Sequence, residues 1–533
     1  MVSEDTLDAD SSVFTHGRWR LALSLGEVGH IAHDDVEVVR AIRVAARDED
    51  WNTFSHHTGP GVVAEGTVQF PITVTDDHGD PVARVEVEVR LAADCTVTAR
   101  IQPTRELDVN RLGIVVLLAP ALAGAPVEVE HPSGSRETMR LPERIAAHQP
   151  AIDIRALRYP VGSCRVTLEL HGDVFEMEDQ RNWTDASFKV YNRPLALPFP
   201  YLVGPGEPIE QSVRIAVASS QPTPPGRSPA PGRSRVPVVP VAEPPSPVAA
   251  VRERAAEPAA RAASDGPRVL EIGTSSGRHV DGALPPRAER AGPLLVELTA
   301  DQGSWTTIVR RARSEATALG VPVDLRIVAA DADGLAAGLA AAEDLPLARI
   351  GVFDPVTHVP EAAGWDALCR WRDSTDAPIP LVAGTRAHFT ELNRTSERLP
   401  RDADLVAFSL TPTMHATDPE HVEESLAMQA LVARDAVAIA AGIPVVIGPV
   451  TFRRRFNAVA TTPSPGSAAE AQRGIDPMIG SEYAAVWFMR SVAAVSIPGV
   501  LGGSWFEATG PRGLVTAAGE ITPLGAAWLS LVS

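Results

Sequence analysis

The run Leu405-Val406-Ala407-Phe408-Ser409-Leu410, followed by Pro419 to Ala441 and then by Val445-Val446-Ile447-Gly448, reads as strand, helix and strand. The helical stretch opens on Asp418 as N-cap and ends before Gly442. Working outward, earlier strands are expected at Arg268-Val269-Leu270-Glu271-Ile272, Leu294-Leu295-Val296-Glu297-Leu298 and Val323-Asp324-Leu325-Arg326-Ile327-Val328. Arg349-Ile350-Gly351-Val352-Phe353 and Leu381-Val382-Ala383-Gly384 continue the series, and Ala494-Val495-Ser496-Ile497 closes it. Helical stretches separate most of these runs. Eight such units predict a TIM-type (β/α)8 barrel over residues 268–533. In that fold the chemistry sits beyond the C-terminal ends of the strands.

Upstream the pattern changes twice. Residues 219–267 carry Gln221-Pro222-Thr223-Pro224-Pro225 and Glu243-Pro244-Pro245-Ser246-Pro247 and no aromatic residue. Such a stretch has little to bury against the entropy of ordering, so it reads as a proline-rich disordered linker. Residues 18–218 show alternating runs such as Val85-Glu86-Val87-Glu88-Val89-Arg90-Leu91, with turns at His78-Gly79-Asp80-Pro81 and Pro132-Ser133-Gly134. Many short strands of period two predict an antiparallel β-sandwich domain. Residues 1–17 are read as a disordered N-terminus. Cleavage by a protease is expected first within 219–267.

The formal net charge of −19 opposes a general role on nucleic acid or anionic membrane, both of which need a basic surface. Three cysteines at wide spacing, Cys95, Cys164 and Cys369, offer neither a disulfide framework nor a zinc pattern. Met1-Val2-Ser3-Glu4-Asp5 is acidic and lacks an apolar run. A reducing, cytoplasmic setting is therefore expected. Lys189 is the single lysine of the chain, every other cationic side chain of that length being arginine. A lysine retained against that bias is a candidate for a task that needs a compact ammonium.

The segment from Phe175 to Lys189 mixes carboxylates, Arg181 and Lys189 with Met177, Trp183 and two phenylalanines. Charges beside residues that favour burial form buried ion pairs or a functional site. Glu178, Asp179, Arg181, Asp185 and Lys189 are accordingly substrate-binding candidates, against the alternative of a salt-bridged corner. In the barrel, Glu391, His415, Arg453 and Glu507 lie just beyond the expected fifth to eighth strands and should share one mouth. Glu507 or His415 suits a base that activates water, with Glu391 as a third catalytic candidate. Arg453 suits an oxyanion or carboxylate, because its planar fork binds two oxygens at once. Gly273-Thr274-Ser275-Ser276-Gly277 fits a nucleophile elbow, but Pro285-Pro286 follows where a helix is required. A glycosidase needs two carboxylates; Asp354 follows the fourth strand, whereas 447–456 contains no acid.

The strings Glu176 to Lys189, Asp108-Val109-Asn110-Arg111-Leu112-Gly113, Glu130-His131-Pro132-Ser133-Gly134 and Arg193-Pro194-Leu195-Ala196-Leu197-Pro198 resemble the D-apionate lactonase family. So do Gly384-Thr385-Arg386, Phe389-Thr390-Glu391-Leu392-Asn393-Arg394, Thr411-Pro412-Thr413-Met414-His415-Ala416 and Phe506-Glu507-Ala508-Thr509-Gly510. The chain departs from the family's pattern at Thr413, at Met478-Ile479 and around Glu297. The resemblance implies hydrolysis of a branched sugar lactone to its sugar acid, with no cofactor and no metal. It adds Asn393 to the substrate-binding candidates. A barrel glycosidase and a diverged, non-catalytic carbohydrate-binding protein are the competing readings.

Overall fold

The computed structural model describes residues 5–7, 12–219, 269–273, 291–299, 305–375, 379–459 and 473–532. The proline-rich stretch and Ser275 lie outside the described residues. The segment 1–17, expected to be disordered, instead contributes the strands Asp5–Leu7 and Ser12–His16, which pair with Gly61–Ala64 and Trp19–Ser24, because backbone hydrogen bonding to existing sheet edges orders them. The chain divides into two compact units. The first draws on residues 5–7, 12–180 and 187–219. The second draws on 181–186 and on the described residues from 269 to 458 and from 473 to 532. Thus six residues that lie in the chain between the strands Glu176–Asp179 and Phe188–Tyr191 belong to the second unit.

The first unit is built from two antiparallel sheets. One places Thr67–Thr75, Pro81–Leu91, Cys95–Pro103, Ile209–Ser219, Cys164–His171 and Ala156–Val161 side by side. The other runs through Glu176–Asp179, Phe188–Tyr191, Leu107–Leu118, Val36–Asp48, Glu27–His33 and Trp19–Ser24. Alternation does the sorting: in Cys95–Pro103, Cys95, Val97, Ala99 and Ile101 are buried while Arg100 and Gln102 are exposed. Apolar faces of both sheets meet in one core that includes Trp19, Phe70, Val89, Leu112, Phe175 and Ile215. Leu107–Leu118 is buried on both faces over most of its length. Gly113 in that strand is dictated by crowding, since a Cβ there would lie 2.2 Å from Asn192 Oδ1 and 2.6 Å from Gln211 Oε1.

The second unit contains eight parallel strands, Val269–Gly273, Ala291–Leu298, Val323–Val328, Leu347–Phe353, Val382–His388, Leu405–Leu410, Val445–Val450 and Val500–Thr509. The first pairs with the eighth, and the bridge between Ile350 and Leu381 joins the fourth to the fifth. The TIM-type barrel is therefore present. The helix expected after the sixth strand spans Pro419–Ala440, with Asp418 accepting the His421 N–H at 3.1 Å. Among the described residues no helix is long and apolar enough to cross a membrane.

One strand differs from the sequence reading. Ala494-Val495-Ser496-Ile497 ends the helix Glu482–Val495, capped by Ser481, whose buried face carries Ala484, Trp487, Phe488, Ser491, Val492 and Val495. Those positions recur at helical spacing, and the last apolar turn imitates a strand. The eighth strand is Val500–Thr509 instead. Its glycines disguise it, because glycine is a poor strand former. Gly503 is needed there: a Cβ would stand 2.6 Å from Ile447 O and 2.7 Å from the Trp505 ring. Glu507 consequently lies within the eighth strand, not beyond it.

The barrel interior is charged. Arg349 contacts Glu271 at 2.5 Å and Asp324 at 2.8 Å, and Arg326 meets Asp324 at 3.2 Å and the Gly448 carbonyl at 3.2 Å. All four side chains are buried, which is tolerable only because each charge has an opposite neighbour.

Candidate active site

The barrel's second strand contributes Glu297, buried to 6% exposure. Its carboxylate meets two guanidiniums, pairing with Arg455 through one oxygen and lying 3.5 Å from Arg386 Nε through the other. Arg455 also donates to the Arg386 carbonyl at 3.0 Å and to Ser409 Oγ at 3.3 Å, which ties the segment after the seventh strand to the fifth and sixth. The Phe456 ring lies 3.9 Å from the Arg386 guanidinium and 5.5 Å from that of Arg455. Stacking cations on a ring face in a desolvated place is favourable by up to about 2 kcal/mol. His358 packs on the same ring at 5.0 Å.

Arg386 owes its place to a bulge. Gly384 takes φ +97°, and a Cβ there would lie 2.2 Å from the Ala407 carbonyl, so only glycine fits. The register with the sixth strand shifts between Gly384 and His388. Such a shift re-aims the residues that follow. Both Arg386 and His388 are buried.

Two cations around one carboxylate set the local electrostatics. Burial alone would raise the Glu297 pKa, but the charges of Arg455 and Arg386 outweigh it and hold the carboxyl down at about 2. Burial, reinforced by Arg386, lowers His358 to about 4. Burial, reinforced by Arg455 and Arg454, lowers His388 to about 3. Both imidazoles are thus neutral at pH 7, and His388 Nε2 lies 3.1 Å from Thr411 Oγ1.

A second group stands by His388. The loop after the sixth strand carries His415, whose Nδ1 lies 2.7 Å from Asp185 Oδ2. The side chains are 12% and 8% exposed. A carboxylate only accepts at that distance, so Nδ1 carries the hydrogen and the lone pair falls on Nε2. Trp183, in the same short segment as Asp185, meets His388 at 5.5 Å and His415 at 5.7 Å between ring centroids. Asn182 fastens that segment within the second unit. Its carbonyl accepts from Thr390 Oγ1 at 3.1 Å and its side-chain oxygen accepts from Asn393 Nδ2 at 2.9 Å. Asn393, a substrate-binding candidate from sequence, is therefore engaged in holding the segment.

The four barrel residues singled out by sequence each have a different partner. His415 has Asp185. Arg453, with a side chain 36% exposed, bonds Asp476 at 3.0 Å. Glu507 pairs with Arg512 at 2.8 Å. Glu391 lies in the helix Phe389–Arg394 and accepts the His388 N–H at 2.9 Å as part of an N-terminal cap. Burial, only partly offset by Arg394, raises its carboxyl to about 7. Of the run Arg453-Arg454-Arg455, the arginine that reaches Glu297 is the third.

In the first unit, Glu178 and Lys189 face each other on paired strands, with Lys189 Nζ 2.5 Å from Glu178 Oε2 and 5.1 Å from the Tyr191 ring. Burial lowers the ammonium's pKa, and Glu178 opposes the shift. The Arg111 guanidinium stacks on Tyr191 at 3.9 Å, and Tyr191 donates to Glu176 at 2.5 Å. Asp179 accepts the Ala146 N–H at 2.9 Å, and Arg181, in the second unit, is buried to 1% exposure. Glu297, Arg386, Arg455, His358, His388 and Trp183 are what the sequence reading missed. The usable signals were Arg386 after a glycine at the end of the fifth strand and a tryptophan two residues before Asp185.

Residues 1–220 match the family model described as D-apionate lactonase, N-terminal domain, and residues 285–532 match D-apionate lactonase, TIM barrel domain. A D-apionate lactonase from Brucella anthropi is 26% identical over 554 residues, spanning 96% of this chain and 84% of that protein. Among solved structures, galactose 1-epimerase from Lactobacillus acidophilus aligns with 42% of this chain and 100% of its own, at 6% identity and a TM-score of 0.31. A β-glucuronidase from Ruminococcus gnavus aligns with 98% of this chain and 75% of its own, at 10% identity and a TM-score of 0.29.

Proposed function

Because the chain belongs to the D-apionate lactonase family and is a lactone-opening hydrolase, we propose that it converts a sugar lactone of the D-apionolactone kind to its sugar acid at the mouth of the barrel, with His415 as general base. The observation that carries this reading is the 2.7 Å bond between His415 Nδ1 and Asp185. It leaves Nε2 as the atom that takes a proton from water attacking the lactone carbonyl. The imidazolium so formed is stabilised by the Asp185 carboxylate.

Attack turns the carbonyl oxygen into an oxyanion. Arg386 and Arg455, two guanidiniums around the one carboxylate of Glu297, supply a field that favours this charge. Collapse expels the ring oxygen as an alkoxide, and the His415 imidazolium returns the proton to it. The products are the ring-opened hydroxyl and the acid. Arginines also suit the carboxylate of the product, which they bind through two oxygens.

The glycosidase reading has less support. Asp354 accepts the Val356 and Thr357 N–H groups at 2.8 Å each and so closes its own loop.

Release of acid from D-apionolactone, followed by titration at constant pH, tests the proposal. Wild-type chain is expected to turn over, and His415→Asn to lose at least about a hundredfold in kcat, the low end of what general-base catalysis contributes. Equal rates for the two proteins would remove His415 from the mechanism.

A further inference from the structure

We propose that Trp183 is the platform on which the sugar ring of the substrate lies, making this indole the determinant of affinity for a carbohydrate lactone. The inference rests on the lactonase reading of the same site and names how it recognises the sugar. Trp183 is half-buried, whereas Arg181, Asn182, Thr184 and Asp185 around it are buried. A large apolar ring kept partly exposed inside an otherwise buried segment gives up hydrophobic stabilisation that full burial would supply. Its position is nonetheless firmly held. Asn182 receives two side-chain hydrogen bonds, and the Thr184 N–H closes a turn on the Arg181 carbonyl at 3.0 Å.

The surroundings fit a carbohydrate. The indole is 5.7 Å from the His415 ring, with the planes at 87°, so a ligand resting on it lies within reach of the base. A sugar ring presents C–H groups, made slightly positive by neighbouring oxygens, and the face of an indole is electron-rich. The other groups nearby, His388, His415 and Asp185, are polar and suit hydroxyls. An aromatic face with a few placed hydrogen-bonding groups beside it supplies both the contact area and the orienting polar groups that a small-ligand site uses.

The test uses the full chain, D-apionolactone as substrate and the matching lactam as a ligand that is not opened. Trp183→Ala is expected to raise KM at least tenfold, about 1.4 kcal/mol, with the loss falling on KM and not on kcat. Trp183→Phe, which keeps an aromatic face, should raise KM less than about threefold. The lactam should quench tryptophan emission of wild-type chain and leave that of Trp183→Phe unchanged. A Trp183→Ala chain that loses kcat at constant KM would overturn the proposal, since the indole would then serve only to hold His415. If Trp183→Ala does not fold, the lactam titration of wild type and Trp183→Phe decides alone, and equal quenching in both overturns it. If wild-type chain opens no lactone, the catalytic reading fails separately, while the same titration still supports or overturns Trp183 as the platform.

Discussion

Asp185 and His415, 230 positions apart in the chain, share a 2.7 Å hydrogen bond inside one unit. Each was a candidate on sequence grounds, but in different roles, and the proposed mechanism joins them in one. Substituting Asp185 by Asn keeps the shape of the pair and removes the charge that stabilises an imidazolium. The expected result is a fall in kcat of at least about tenfold, or about 1.4 kcal/mol of transition-state stabilisation, with little change in KM. Steady-state kinetics on D-apionolactone check it, and an unchanged kcat would mean that the carboxylate only ties down its segment.

Glu391 makes stability depend on pH. Its carboxyl titrates at about 7 in the folded chain against 4.5 for the ordinary group. A raised carboxyl pKa means that the folded state holds the proton more tightly. The contribution is complete below pH 4.5 and is lost as pH rises through about 7. The span is on the order of 3 kcal/mol. His388, held at about 3 against 6.5, has the opposite slope, its contribution being complete above pH 6.5 and lost as pH falls toward 3. Glu391→Gln keeps an acceptor for the His388 N–H and removes the titration. Between pH 5 and 6.5 the two slopes oppose each other in wild type, so the thermal midpoint of the variant, taken relative to that of wild type, should rise with pH.

Lys189, a substrate-binding candidate on sequence grounds, is paired with Glu178 in a buried place. Lys189→Met leaves Glu178 without its cation and should cost roughly 3 kcal/mol. Lys189→Arg should cost less but not nothing, because a planar guanidinium does not fit the place of an ammonium. Calorimetric unfolding of the three chains distinguishes this from a purely catalytic role, in which all three would melt together.

Much of the architecture is local information. Seven barrel strands, the Asp418-capped helix and the alternating β domain are legible because burial on one face imposes a period, and a period survives in the chain. The eighth strand was misplaced because Gly503 serves close packing, and its reason is a neighbouring backbone and ring, not a propensity. For the candidate site, sequence pointed to three segments: the stretch around Asp185, the end of the fifth strand and the loop bearing His415. It did not determine which member of a charged run turns inward. Arg453 and Arg455 are chemically alike, and only the fold puts Glu297, Arg386 and Ser409 in reach of the third arginine and not the first. Hydrogen bonds and ion pairs act over about 3 Å of space, and separation along the chain carries no record of them. That is why the residue types could be named from the sequence, while their partners were decided by the tertiary structure alone.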